Sequence, residues 1–279
     1  CFDLHGLPPA SLSPDDRDAI VVVPGRMNYD REPEIAERLN RMDRCVLVVT
    51  GDEEARFDPV AAAPNAIARW VQTPHALPDG ARFLPLGAPP HQAPPLVPRE
   101  FAWCFAGQVT HDRRRAAVDA AQAIPGGLLL ATDRFAAGIP PDAYTALIGR
   151  SQLVPCPSGP VHPETFRLYE ALEAGCIPIA DARTPGGEWG AWWAEHFPDR
   201  PFPLVSDWAE LPDIAPALLA DWQQTANRCS AWWKAAKLDV ANQLAADAGD
   251  EAGQVTTVVT MSPIPSHPSL EVLAETGAS

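Results

Sequence analysis

The sequence predicts an α/β protein built on parallel sheets, and three observations carry that prediction. Short apolar runs such as AIVVV (19–23) and CVLVVT (45–50) read as strands buried on both faces. Helix-spaced segments alternate with these runs, as connected parallel strands require. The stretch Ser158 to Ile179, SGPVHPETFRLYEALEAGCIPI, holds loop, helix and strand in quick succession.

Taken in order, the first strand is the run ending at Val23, followed by the turn Pro24-Gly25. Pro33 to Met42 is a charged amphipathic helix with Ile35, Leu39 and Met42 on its inner face. Cys45 to Thr50 is a second strand, ending in Gly51-Asp52-Glu53-Glu54. Ala66 to Val71 is a third, ending at Gln72-Thr73-Pro74-His75, and Arg82 to Leu86 is a fourth. Ala88 to Pro98 is a proline-rich connection, too short for a flexible tether, and reads as an inter-domain linker. Phe101 to Gly107 begins a second α/β unit. A helix over His111 to Ile124 follows, then a strand at Leu128 to Thr132, a helix at Pro141 to Gly149 and a strand at Gln152 to Pro155.

In the stretch from Ser158, the glycine and prolines make a loop that cannot be helical throughout. Glu164 to Ala174 is then helical, with Phe166, Tyr169 and Leu172 on one face. Gly175 caps it, and Cys176 to Ala180 is a short buried strand whose Pro178 marks a bulge or an edge. A Gly/Ser loop opening onto a helix N-terminus is an anion site, because the first backbone N–H groups are unpaired. Beyond Asp181 lie Gly186-Gly187 and a cluster of tryptophans, expected to serve mainly as core. Asp207 to Ala220 and Asp221 to Ala246 read as helices. From Asp247 the chain is small and polar, with an edge strand expected within Val255 to Met261.

A chain of 279 residues fits one large or two ordinary domains, and 46% hydrophobic content supplies real cores. The boundaries predict an N-terminal domain over 1–98, a second over 99–246 and a tail over 247–279. The net charge of −15 opposes affinity for nucleic acid or anionic membrane through bulk electrostatics. No apolar run is long enough to span a bilayer, and no leader precedes the first strand. The chain opens at Cys1, which fits a fragment, a processed product or a trimmed chain. The six cysteines form no CxxC pair, so a zinc site is not expected and a reducing compartment is. A cytoplasmic location follows, in a bacterium or in the cytosol of a virus-infected host. His75, His91, His111 and His162 lack ligand spacing, so no metal site is expected.

The segment LVPCPSG…PETFRLYEALEAGCIPI resembles the donor-nucleotide segment of exostosin-like glycosyltransferases, and the likeness extends over roughly Phe101 to Ile179. That resemblance implies a GT-B-like fold. Two Rossmann-type domains would face a cleft, the first on the acceptor side and the second holding the nucleotide sugar. C-terminal helices bearing WWKAAK would cross back to the first domain. It also implies a glycosyltransferase that moves a sugar from a nucleotide-diphosphate sugar, a UDP-sugar being the first choice, to a hydroxyl acceptor. The transfer would invert the anomeric carbon and need no metal or other cofactor. The default acceptor is a glycan.

The resemblance also assigns residues. Glu170 matches the glutamate that contacts the nucleotide ribose in related families. Their other glutamate falls at His162 here, with Glu164 taking over from a shifted position. Ser158, Gly159 and Thr165 belong to the loop at the helix start, and Arg167 faces the donor phosphates. Arg113, Arg114 and Arg115 open a helix where such families hold the diphosphate, and at least one of three consecutive helical positions must face the cleft. A general base must take the acceptor's proton. Asp52 is the first choice, at the carboxyl end of a strand where α/β sheets present ligands; Glu53 and Glu54 come next, then His75 and Asp30. Two other readings compete: sugar transfer to 5-hydroxymethylpyrimidine in viral DNA, and a non-catalytic nucleotide- or sugar-binding remnant.

Overall fold

A computed structural model describes residues 18–24, 32–89, 97–132, 139–249 and 258–260. The expectations for Asp30, for His91 and for most of the proline-rich connection and the tail lie outside the described residues. The chain is α/β, with two parallel five-stranded sheets.

The first sheet uses β1 (Asp18–Pro24), β2 (Arg44–Thr50), β3 (Ala68–Gln72) and β4 (Ala81–Leu84), connected through α1 (Glu32–Leu39) and the single turn α2 (Pro59–Ala62). Val21, Val23, Leu47 and Val49 pack on the α1 side against Ile35 and Leu39. Ile20, Val22, Val46 and Val48 face the other way. Both sets are buried, which is why the strands read as continuous apolar runs rather than alternating ones.

The second sheet uses β5 (Phe101–Gln108), β6 (Leu128–Thr132), β7 (Ser151–Cys156) and β8 (Ile177–Asp181), with α3 (Asp112–Gln122), α4 (Pro141–Gly149) and α5 (Phe166–Glu173) as crossovers. A hairpin of β9 (Arg183–Thr184) and β10 (Gly187–Glu188) follows, then α6 (Gly190–His196) and the edge strand β11 (Leu204–Val205). The spatial order is β11-β8-β7-β5-β6. Pro178 sits in β8 without a bulge. The N–H of Ala180 donates to Pro203 on the β11 side, so the nitrogen of Pro178, two residues earlier, points the same way, where β11 no longer reaches.

After a 3₁₀ turn, α7 (Leu211–Ala220) leads into α8 (Trp222–Ala248). Cys229 and Trp233 near the start of α8 pack on the second sheet's core, while Val240 and Leu244 pack on Trp70 and Leu84 of the first. Asp247, read from sequence as the start of the tail, is instead helical. It accepts from Trp70 Nε1 (3.0 Å) and pairs with Arg82 (2.9 Å), tying the helix end to β3 and β4. The expected edge strand is β12 (Val258–Thr260), parallel to β1 at the sheet margin. Trp193, Trp208 and Trp233 are core residues, as expected of large aromatics. Phe166 is the exception to the predicted inner face of α5: it is 50% exposed, while Leu168, Tyr169, Ala171 and Leu172 are buried. Among the described residues, no helix is long and apolar enough to cross a membrane.

Candidate functional site

The loop between β7 and α5 lies where the carboxyl ends of both sheets come together. Gly159 N–H donates to the His162 carbonyl (2.9 Å), and a Cβ on Gly159 would sit 3.1 Å from that oxygen, so a side chain there would crowd the turn. The Glu53 carboxylate approaches from the first sheet, with Oε2 4.0 Å from the same point. Thr165 holds the N-cap of α5 in extended conformation, yet its hydroxyl caps nothing. Thr165 Oγ1 and the fully buried Ser158 Oγ have no hydrogen-bond partner. The start of α5 therefore keeps backbone donors that no side chain takes.

Two arginines converge beside this loop. Arg167, on the first turn of α5, donates to the Ala106 carbonyl (3.0 Å) and lies over the Phe105 ring (4.4 Å), while its Nε has no partner. Gly107 makes room for it: a Cβ there would fall 2.5 Å from Arg167 Nη2. Arg114, on α3, makes long contacts with the carbonyls of Ser158 (3.4 Å) and Gln108 (3.3 Å). Burial and then the like charge of Arg167 push its pKa down to about 10, against the pull of Glu53. Two guanidinium groups held together at partial burial form a site that favours an anion. Glu170, one turn along α5, interacts electrostatically with Arg167 and Tyr144.

The other two arginines of the triplet do not join them. Arg113 is committed to a buried ion pair with Asp181 through two nitrogens and to the Ser206 carbonyl (3.0 Å). Arg115 is exposed. Helical geometry sends the three side chains in different directions, and only Arg114 points toward the loop.

The acid expected to be the base has other work. Asp52 is 4% exposed, and its carboxylate accepts from the backbone N–H groups of Arg56 (3.1 Å) and Phe57 (2.9 Å), holding the turn after β2. That commitment gives Asp52 a structural role in the turn. His75 is better placed. Its Nε2 lies 2.7 Å from the Glu53 carbonyl, which can only accept, so Nε2 is the donor, and in the neutral ring Nδ1 carries the lone pair. The ring is exposed, with Trp189 edge-on at 5.2 Å and His162 stacked at 6.1 Å. Thr73, two residues earlier, is buried with φ of +51°, strained for a β-branched residue. The bend that follows aims the Pro74 carbonyl at Trp192 Nε1 (2.8 Å) and His162 Nε2 (3.4 Å).

His162 and Glu164 lie beneath the loop, not on its surface. Burial pushes the His162 pKa down to about 3, so the ring is neutral. Burial pushes the Glu164 carboxyl up to about 8, against hydrogen bonds from Tyr169 Oη and the Leu86 N–H (3.2 Å). Both contact the first sheet's loops, so they join the two halves at the site.

A cavity of ≈ 300 Å³ opens next to Gly107, walled by Ala106, Leu130, Thr132, Ile139 and Tyr144. It adjoins Arg167 through Tyr144 and lies against the carboxyl-terminal residues of β5 and β6. Among the described residues no cluster of three or more His, Cys, Asp or Glu could hold a metal ion.

Sequence reasoning missed Asp181, the fully buried hub at the end of β8. It accepts from Arg113, Trp208 Nε1 (3.0 Å), Ser158 N–H (3.4 Å) and Arg183 N–H (3.0 Å). Its position at a strand's carboxyl end was the available signal. Tyr144 was missed as well, and nothing local marks it. Compared with protein-family models and with curated proteins, the chain matches none.

Proposed function

We propose that this chain is a metal-independent glycosyltransferase of GT-B type, transferring a sugar from a nucleotide-diphosphate sugar to a hydroxyl acceptor with inversion. One observation carries the reading: Arg114 and Arg167 converge beside the open start of α5 and the unpartnered Ser158 hydroxyl, opposite a histidine with an oriented lone pair. Such a site suits a diphosphate leaving group facing a general base.

In this mechanism Nδ1 of His75 takes the acceptor's hydroxyl proton while that oxygen attacks the anomeric carbon. The bond from the anomeric carbon to the phosphate oxygen breaks, and its electron pair passes to the diphosphate. Arg114, Arg167 and the first N–H groups of α5 offset the charge that develops there. Ser158 and Thr165 donate to phosphate oxygens, Glu170 accepts from the ribose, and the nucleobase enters the cavity beside Gly107. A UDP-sugar is the first donor to test. Glu53 and Glu54, at the end of β2 near His75, disfavour a polyanionic acceptor, so a glycan stands ahead of modified DNA.

The test is release of UDP from UDP-glucose, UDP-galactose, UDP-N-acetylglucosamine and UDP-glucuronate, with and without an oligosaccharide panel. Release that is lost in His75→Gln supports the reading. Binding of UDP without release under any condition would instead make the chain a nucleotide-binding remnant, and absence of UDP binding would overturn the proposal.

A further inference from the structure

A second cavity, of ≈ 390 Å³, lies away from the Arg114–Arg167 pair, between β3–β4, the end of α6 with the segment after it, and the middle of α8. Its volume falls within the range of about 300–1,000 Å³ usual for small-molecule sites. Its two walls differ in chemistry.

One wall is a hydrogen-bonded polar ladder. Arg82 Nη1 donates to Gln243 Oε1 (3.0 Å) and Gln243 Nε2 donates to Asp239 (2.7 Å), while Asp247, outside the lining, anchors Arg82 through Nη2 (2.9 Å). The ladder thus presents donors and acceptors in alternation. The other wall is aromatic. Phe83 meets Phe197 edge-on at 5.3 Å, Phe197 meets Trp232 at 5.7 Å, and Phe83 and Trp232 are both partly exposed. Asp199 and Asp239 add two carboxylates to the lining against the one arginine, which Asp247 already offsets.

We propose that this cavity is a saccharide-binding site, separate from the transfer site, for an uncharged pyranose. The C–H face of a pyranose covers an aromatic ring, while its hydroxyls, each both donor and acceptor, match a ladder of alternating partners. A phosphorylated or acidic sugar would meet net negative charge and be rejected. An organic cation would use the aromatic wall and the carboxylates but leave the ladder's donors without a role. The site shares no residue with the arginine pair or with His75.

The experiment titrates the protein with D-glucose, D-galactose, D-mannose and N-acetyl-D-glucosamine at millimolar concentration, followed by tryptophan fluorescence. At least one should give a saturable change that glucose 6-phosphate does not reproduce and that UDP does not displace. Trp232→Ala and Asp239→Ala should each weaken it by roughly tenfold or more, the loss of one good contact. Asp239 is exposed, so that variant keeps the test open if Trp232→Ala misfolds. No saturable change with any of the four sugars, a change that survives Asp239→Ala, displacement by UDP, or a response to tetramethylammonium in place of the sugars would each overturn the proposal.

Discussion

The backbone N–H of Glu164 donates to Nδ1 of His162 at 3.2 Å, which places two buried groups with opposite titration behaviour side by side. His162 stays neutral down to about 3, below its ordinary 6.5. Glu164 stays protonated up to about 8, above its ordinary 4.5. Between pH 6.5 and 8 the unfolded chain has given up the Glu164 proton that the folded state keeps, so stability falls as pH rises. Between 4.5 and 3 the unfolded chain has taken up a His162 proton that the folded state refuses, so stability falls as pH drops. Between 4.5 and 6.5 the two slopes oppose one another. Melting temperature against pH should therefore show a plateau near 4.5–6.5, and Glu164→Gln should remove the decline above it. An unchanged alkaline slope in that variant would show that Glu164 is not the group responsible.

Replacing the base should separate catalysis from folding. His75→Gln should lower turnover by about 10²–10⁴, the usual contribution of a general base, with donor affinity unchanged. Asp52→Asn should do the reverse, lowering the melting temperature because its carboxylate holds the Arg56 and Phe57 N–H groups, while turnover per folded molecule stays near normal. Turnover and thermal melts on both variants decide between the two residues.

The arginines make a differential prediction. Arg114→Ala and Arg167→Ala should weaken UDP far more than uridine, and Arg113→Ala should chiefly destabilise the fold by stranding the buried Asp181. Calorimetry with both ligands would expose the alternative, since equal losses on UDP and uridine would remove the arginines from the phosphates.

Glu170→Ala should weaken UDP by roughly 1–3 kcal/mol through lost hydrogen bonds to the ribose. The deoxyribose analogue should bind the wild-type protein less well than UDP, yet match it in the variant. A folded variant with wild-type affinity would end the assignment.

Activity should survive EDTA, because the positive charge offsetting the diphosphate comes from Arg114, Arg167 and the start of α5. Complete loss with chelator, restored by Mg²⁺ or Mn²⁺, would show that the diphosphate is held differently.

Much of the fold was legible because its signals are local. Leu128–Thr132 and Pro141–Gly149 appear with the bounds the sequence suggests, and the buried runs of β1 and β2 need only their own composition to declare themselves. Phe166 was misread because one turn of helix cannot tell which side its neighbours will cover. Of the candidate site, the sequence marked the neighbourhood: Glu53 and His75, after β2 and β3, lie beside Gly159 and His162 of the loop before α5.

Local signals alone specify the alternation of strand and helix and the loop before α5. Backbone preference and hydrophobic period act within a few residues, so a single chain displays them. The sharing-out of charge was settled by long-range packing instead. Asp181, from β8, took Arg113, 68 residues earlier, and left Arg114 facing Arg167; the His75 ring met the Glu53 carbonyl across 22 residues. Competition among such distant partners is settled by burial, because an ion or a hydrogen-bonding group withdrawn from water must take the partner that packing brings within reach.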